Sequence, residues 1–218
     1  MSETPLILGF DTSAAHCAAA LVLGDAVIAA RHEEMSKGQA ERLMVLIQDV
    51  LADADKTVQD LTAIGVGTGP GNFTGIRISV AAARGLALSL KIPAVGVSLL
   101  DVYAHDIDQP RLVAIDARRD RFYVQTFDDS SFAKPELIAF EDLTARDVPE
   151  DIAVTGPAAA MVAQAMGLRR LPAPSSPAPN IAQIARTRYL TETLRPAPVY
   201  MRAADAAPSS DKPPKILS

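Results

Sequence analysis

Apolar residues fall along this chain in two rhythms, short unbroken runs and longer stretches that recur at three and four. Leu6 to Phe10 is a β-type run that ends in Asp11, Thr12 and Ser13. Cys17 to Leu23 is a second run, and the Gly24-Asp25 pair after it is a hairpin signal leading into a third, Val27 to Arg31. Three consecutive strands imply a meander. From Gln39 to Ala54 the apolar positions Ala40, Leu43, Met44, Ile47, Val50, Leu51 and Ala54 repeat with helical spacing, which predicts an amphipathic helix. Val45 and Leu46 fall outside its main stripe.

Ala63 to Gly67 reads as a buried strand, followed by a glycine-rich loop and a helix over Phe73 to Leu90. Ile92 to Ser98 adds a strand, and residues 98–107 a short helix. Strand, helix, strand at this spacing requires parallel pairing, so an α/β unit with a mixed sheet closes near residue 105. The second half opens on another strand pair, Leu112 to Asp116 and Phe122 to Phe127, the latter with Phe122, Val124 and Thr126 on one face. A strand at Ile152 to Thr155 and a small-residue helix from Pro157 to about Met166 follow. Four prolines between Leu171 and Asn180 predict an extended connection, with Asn180 capping a helix to about Leu190. Both halves begin strand-turn-strand and then add helices, a pattern compatible with duplication. The expected division is 1–105, 106–202 and a loose, proline-rich tail over 203–218.

Composition narrows the classes. At 218 residues and 49% hydrophobic, the chain can bury a real core. Its 21 basic and 26 acidic residues give a net charge of −5, which disfavours nucleic-acid binding by bulk electrostatics and leaves room for a local or shared contact. One cysteine, Cys17, excludes a disulfide framework among its own residues. The apolar stretches carry polar breaks that argue against a bilayer span, and the first residues lack the pattern of a leader; the cytoplasm is the expected compartment.

Residues 65–79, "GVGTGPGNFTGIRIS", invite comparison with phosphate-binding loops. No lysine stands where a P-loop needs it, and Pro70, Asn72 and Thr74 occupy the third-glycine position of the dinucleotide fingerprint. A tight turn remains, with Pro70 fixing φ, Gly69 and Gly71 supplying freedom, and Asn72 or Thr74 capping the helix. That loop shapes the backbone, meets a partner or RNA, or holds an anion at the helix start. The helix behind it is apolar nearly all round, relieved by Arg77 and Arg84, so it is either central or a subunit interface. The Asp11-Thr12-Ser13 turn is a structural turn or, as in actin-like ATPases, a phosphate and metal hairpin; it lacks the glycine such hairpins usually have. His16, His32 and His105 lie far apart without metal-ligand spacing, so no metal site and no cofactor are expected. Arg118, Arg119 and Arg121 form the densest basic patch, a solvated turn or a contact to RNA or a partner.

Taken in order, "ILGFDTSAAHCAAAL", "GTGPGNFTGIRISVAAARGLA", "IPAVGVSLLD", "IDARRDRFYVQTF" and "PVYMRAADA" resemble the bacterial TsaB (YeaZ) family, from about Leu6 to Ala206. That family usually has serine where Asn72 stands, and either residue caps. The resemblance implies two actin-like (ribonuclease-H-like) subdomains and a place in tRNA threonylcarbamoyladenosine formation. It implies a degenerate, non-catalytic relative of TsaD, lacking TsaD's paired-histidine metal motif. It also implies that the helices Gln39–Ala54 and Thr74–Leu90 bind TsaD, with TsaE as a further partner, tRNA reached through the complex, and a homodimer through the same surface when alone. On that basis Leu43, Leu46, Ile47, Val50, Ile76, Val80, Ala83, Arg84 and Ala87 are the expected interface, and Ile47→Asp or Ala83→Asp should break it. An active actin-like ATPase or kinase using Asp11 and the glycine loop is the alternative.

Overall fold

The computed structural model describes residues 4–128, 133–149 and 151–201, so the expected tail lies outside the described residues. The opening runs form strands β1 (Leu6–Asp11), β2 (His16–Leu23) and β3 (Ala26–Glu34), paired antiparallel. Helix α1 (Gln39–Asp53) and a single 3-10 turn at Val58–Asp60 lead into β4 (Ala63–Gly67). Helix α2 (Phe73–Leu90) then returns the chain to β5 (Ala94–Val97). Strands β4 and β5 add parallel to β1, giving the order β3-β2-β1-β4-β5.

After helix α3 (Leu99–Ala104) the plan repeats. Strands β6 (Arg111–Asp116), β7 (Arg121–Phe127) and β8 (Glu136–Ala139) form an antiparallel meander. Helix α4 (Phe140–Thr144), strand β9 (Ala153–Thr155), helix α5 (Ala159–Met166) and the short strand β10 (Arg169–Arg170) complete it. The second sheet runs β10-β9-β6-β7-β8 with β9 parallel to β6, so its meander and its parallel additions occupy the same places as in the first. This is the expected pair of mixed sheets flanked by helices. Phe122 and Val124 pack towards α4 and α5, while Tyr123 and Phe127 pack on the opposite face, so β7 is buried on both sides.

Both helices α1 and α2 lie on one face of the first sheet. Their inward residues Leu43, Leu46, Ile47, Val50, Ile76, Val80 and Ala83 join Leu8, Phe10, Leu21 and Val66 in one core. An ion-pair network ties α1 to the edge strand: Arg42 Nε donates to Glu33 Oε2 at 2.7 Å and Arg31 Nε to Asp53 Oδ2 at 2.6 Å. The Arg42 guanidinium holds the Glu33 carboxyl below the usual carboxylate range.

Helix α6 (Ala178–Arg188) corrects the sequence reading. The extended connection stops short of Asn180: Pro177 is the N-cap, and Pro179 sits in the first turn, where an N–H has no intrahelical partner to lose. Asn180 is not the cap; its Nδ2 donates to the Val102 carbonyl at 3.1 Å. Although α6 follows the second sheet in the chain, it packs on the first, against β1, β4 and β2. Gly9 and Gly65 make this possible, because a Cβ at Gly9 would lie 2.5 Å from the Ala178 oxygen and one at Gly65 2.8 Å from the Ile181 oxygen. The helix matches with Ala178, Ala182 and Ala185, all fully buried.

Candidate functional site

The Asp11-Thr12-Ser13 turn and the glycine-rich loop form one interlocked unit. Asp11 is fully buried, and its Oδ2 accepts from the Ser13 amide at 2.9 Å, the Ser13 hydroxyl at 2.7 Å and His16 Nε2 at 2.8 Å. Its Oδ1 is buried against Gly67 with no hydrogen-bond partner. Thr12 Oγ1 donates to the Gly75 carbonyl at 2.7 Å, and the Asn72 amide donates to the Ser13 carbonyl at 2.6 Å. Backbones approach so closely that a Cβ at Gly71 would stand 2.4 Å from the Ser13 oxygen, and one at Gly75 still nearer the Thr12 oxygen.

Asn72 is the α2 N-cap, its Oδ1 accepting from the Thr74 amide at 2.9 Å and the Gly75 amide at 3.3 Å. Its own carbonyl accepts from Ile76 at 3.0 Å. The amides at positions 72, 74, 75 and 76 therefore point at protein acceptors, where an anion site needs them aimed outward. Gly69 and Pro70 are buried and lead into this turn, so the loop sets where α2 begins.

The nine residues expected at an interface divide in two. Leu43, Leu46, Ile47, Val50, Ile76, Val80 and Ala83 are at most 2% exposed and belong to the chain's own core. On α1, Leu46, expected outside the main stripe, is fully buried, and Met44, expected within it, is 41% exposed; a partner would meet the outward side. Arg84 is exposed and Ala87 half-buried. Outward on α1 stand Met44 and Val45, and on α2 Phe73, Arg77, Ala81 and Leu88 join Arg84. Thus α2 is buried on one side, not all round. Arg77 and Arg84 were the available signal, since a charge in an apolar helix marks its solvent face. By length and mean hydropathy α2 would suffice to cross a membrane, contrary to the expectation that every apolar stretch is too broken; it packs here on β4.

Between the two sheets opens a cleft of about 700 Å³. One wall comes from Ser13, Asn72 and Phe73, the other from Ile115 to Arg118 and Tyr123, with Tyr103 and Tyr200 also lining it. At its rim the Arg77 guanidinium lies 3.7 Å from the Phe73 ring centre and Arg77 Nε donates to the Tyr200 hydroxyl at 2.8 Å. These aromatics went unnoticed in the sequence because only the return of residues 199–201 to α2 brings them together.

The basic turn between β6 and β7 has an unusual backbone. Arg118, Arg119 and Asp120 have φ of 62°, 54° and 53°, three successive non-glycine residues in the left-handed region, each costing about 1 kcal/mol. The Asp116 carboxylate accepts from the Arg118 amide at 2.7 Å, and the Phe140 amide donates to the Asp120 carbonyl at 2.8 Å. Arg118 thereby reaches the cleft, while Arg119 and Arg121 are exposed.

Strand pairing brings His16 and His32 together, with ring centres 5.0 Å apart, although they are distant in sequence. Among the described residues no group of three His, Cys, Asp or Glu could hold a metal ion, and His16 Nε2 is already committed to Asp11. The residues do not fit the TsaD-type metal.

A family model described as TsaD, tRNA N6-adenosine threonylcarbamoyltransferase, matches residues 29–203. The tRNA threonylcarbamoyladenosine biosynthesis protein TsaB of Escherichia coli is 35% identical over 122 residues, 54% of this chain and 52% of that protein. Its counterpart in Buchnera aphidicola from Schizaphis graminum is 38% identical over 123 residues, 54% and 58% of the two lengths. The chain thus spans about half the length of these curated relatives. YeaZ from Pseudomonas aeruginosa superposes with a TM-score of 0.72 at 26% identity, covering 90% of this chain and 99% of that one. With its paired actin-like sheets and these relatives, the chain belongs to the TsaD family, as a member of its TsaB (YeaZ) group.

Proposed function

We propose that this protein acts in the formation of threonylcarbamoyladenosine in tRNA as a non-catalytic subunit that binds TsaD. The observation that carries the reading is the outward face of α1 and α2. Met44, Val45 and Leu88 are 41%, 46% and 77% exposed, large apolar side chains on neighbouring helices of one sheet face. Arg84 on the exposed side of α2 supplies the polar component that interfaces use for register. Two parallel-layer helices with such faces can complete a four-helix layer with an equivalent pair. A TsaD partner supplies that pair in the active complex, a second copy of this chain supplies it when TsaD is absent, and TsaE joins the assembly with TsaD.

A non-catalytic role is supported by the state of the groups an ATPase would need. Asp11 is buried and bonded to Ser13 and His16, and the α2 amides are capped from within the chain. The test is co-purification with TsaD of the same organism, followed by a tRNA modification assay with and without this chain. Modification that requires this chain, together with no ATP hydrolysis by it alone, is expected. Failure to associate, with ATP hydrolysis that Asp11→Ala abolishes, would replace this reading by the actin-like ATPase.

A further inference from the structure

We propose that the cleft between the two sheets receives one unstacked nucleotide of a single-stranded RNA segment. This deepens, and rests on, the tRNA-directed function above. At about 700 Å³ the cleft is of the size that encloses a nucleotide-sized ligand. Its lining has the composition for one. Tyr103 on α3 and Tyr123 on β7 line it as two members of one buried core, each 7% exposed, and the accessible aromatic surface is at the mouth, where Phe73 and Tyr200 have ring centres 4.8 Å apart. Unpaired bases are held on such aromatic faces.

The charges select among nucleotides. Arg118 is an arginine of the cleft wall itself, delivered by the left-handed turn, and Arg77 stands at the rim. Asp116 lies on the same wall, with one oxygen bonded to the Arg118 amide and a second able to accept from a ribose hydroxyl or a base amino group. One or two cations beside a carboxylate suit a singly charged phosphodiester. They do not suit a triphosphate, for which the helix amides would also be required, and those amides are bonded within the loop. A net charge of −5 likewise confines an RNA contact to a local site of this kind.

The experiment is fluorescence anisotropy of a fluorescein-labelled single-stranded RNA heptamer with the full chain, repeated with Arg118→Ala and Tyr200→Ala, both at exposed positions. The expected result is saturable binding, weakened about tenfold by each variant, with a salt slope lowered by about one in Arg118→Ala and no displacement by millimolar ATP. Binding that is unchanged in both variants, no binding at millimolar protein, or displacement by ATP overturns the proposal. TsaD association is measured on the same variants. Loss of partner affinity with RNA affinity intact would assign the cleft to a protein segment and overturn it too. If the unaltered chain fails to bind TsaD, the functional reading falls whatever the heptamer does.

Discussion

Gly9 and Gly65 are register partners on adjacent parallel strands, and helix α6 lies directly over both. Their missing side chains allow helix and sheet backbones to approach to a distance that any larger residue would prevent. A Cβ at Gly65 would stand 2.7 Å from that of Ala185. Gly65→Ala should therefore cost about 1–3 kcal/mol of overpacking, read as a lower urea midpoint. Gly85→Ala is the contrast: nothing lies within 4 Å of its Cβ position on the exposed side of α2, and a gain of about 0.5–1 kcal/mol is expected.

The interlock between the first turn and the glycine loop can be dissected at its two components. Asn72→Ala removes the cap from two amides and should cost about 1 kcal/mol, largely restored in Asn72→Ser. Gly75→Ala drives a methyl group into the Thr12 carbonyl and should cost more, because backbone on both sides must shift. Thermal unfolding of the three variants gives the order directly.

Substitution should separate the core from the proposed partner face. Ile47→Asp and Ala83→Asp place an unpaired charge in a fully buried site, several kcal/mol of penalty, and should yield unfolded protein. Val45→Asp and Leu88→Asp sit on the outer face; their unfolding midpoints should stay within about 0.5 kcal/mol of the parent while association with TsaD falls at least tenfold. Circular dichroism and analytical ultracentrifugation measure the two effects separately. Disrupted association in a folded Ile47→Asp variant would count against the core assignment.

Cys17 offers a clock for global unfolding. It is fully buried and burial pushes its thiol up to about 11, so the native protein should react with a disulfide reagent at pH 8 only as fast as it opens. The raised value also fixes a sign: the unfolded thiol ionises near 9.0 while the folded one keeps its proton. Stability from this group is complete below pH 9 and declines as pH rises towards 11. Cys17→Ala should remove that part of the alkaline decline, as followed by urea titration at pH 8, 9.5 and 10.5.

Strands and long helices were legible wherever burial imposes a period. The runs at residues 6–10 and 63–67 and the stretch 73–90 carry their apolar pattern openly, and they fold close to the expected bounds. Strands β8 and β10, four and two residues long, are too short to show a period and went unseen. Helix α6 starts earlier than its run of prolines suggests, because Pro179 falls in the first turn, where proline breaks nothing. For the site, the loop's structural role followed from its glycines and Asn72. Of the outward residues, Val45, Arg77 and Arg84 stood out from their apolar stripes, whereas Met44 and Leu88 fit the apolar pattern and gave no sign that they face outward. The cleft is lined by residues 73, 118, 123 and 200, brought together from distant parts of the chain, which no local pattern encodes.

The path of α6 has a consequence for how the chain is made. The first sheet lacks the helix over Gly9 and Gly65 until residues 178–188 have emerged, long after its last strand at Ala94–Val97. A fragment ending near residue 105 should remain an open, aggregation-prone sheet, and addition of α6 should be a late, rate-limiting closure during synthesis. The two sheets share a folding fate because the second is made in full before the first can be finished.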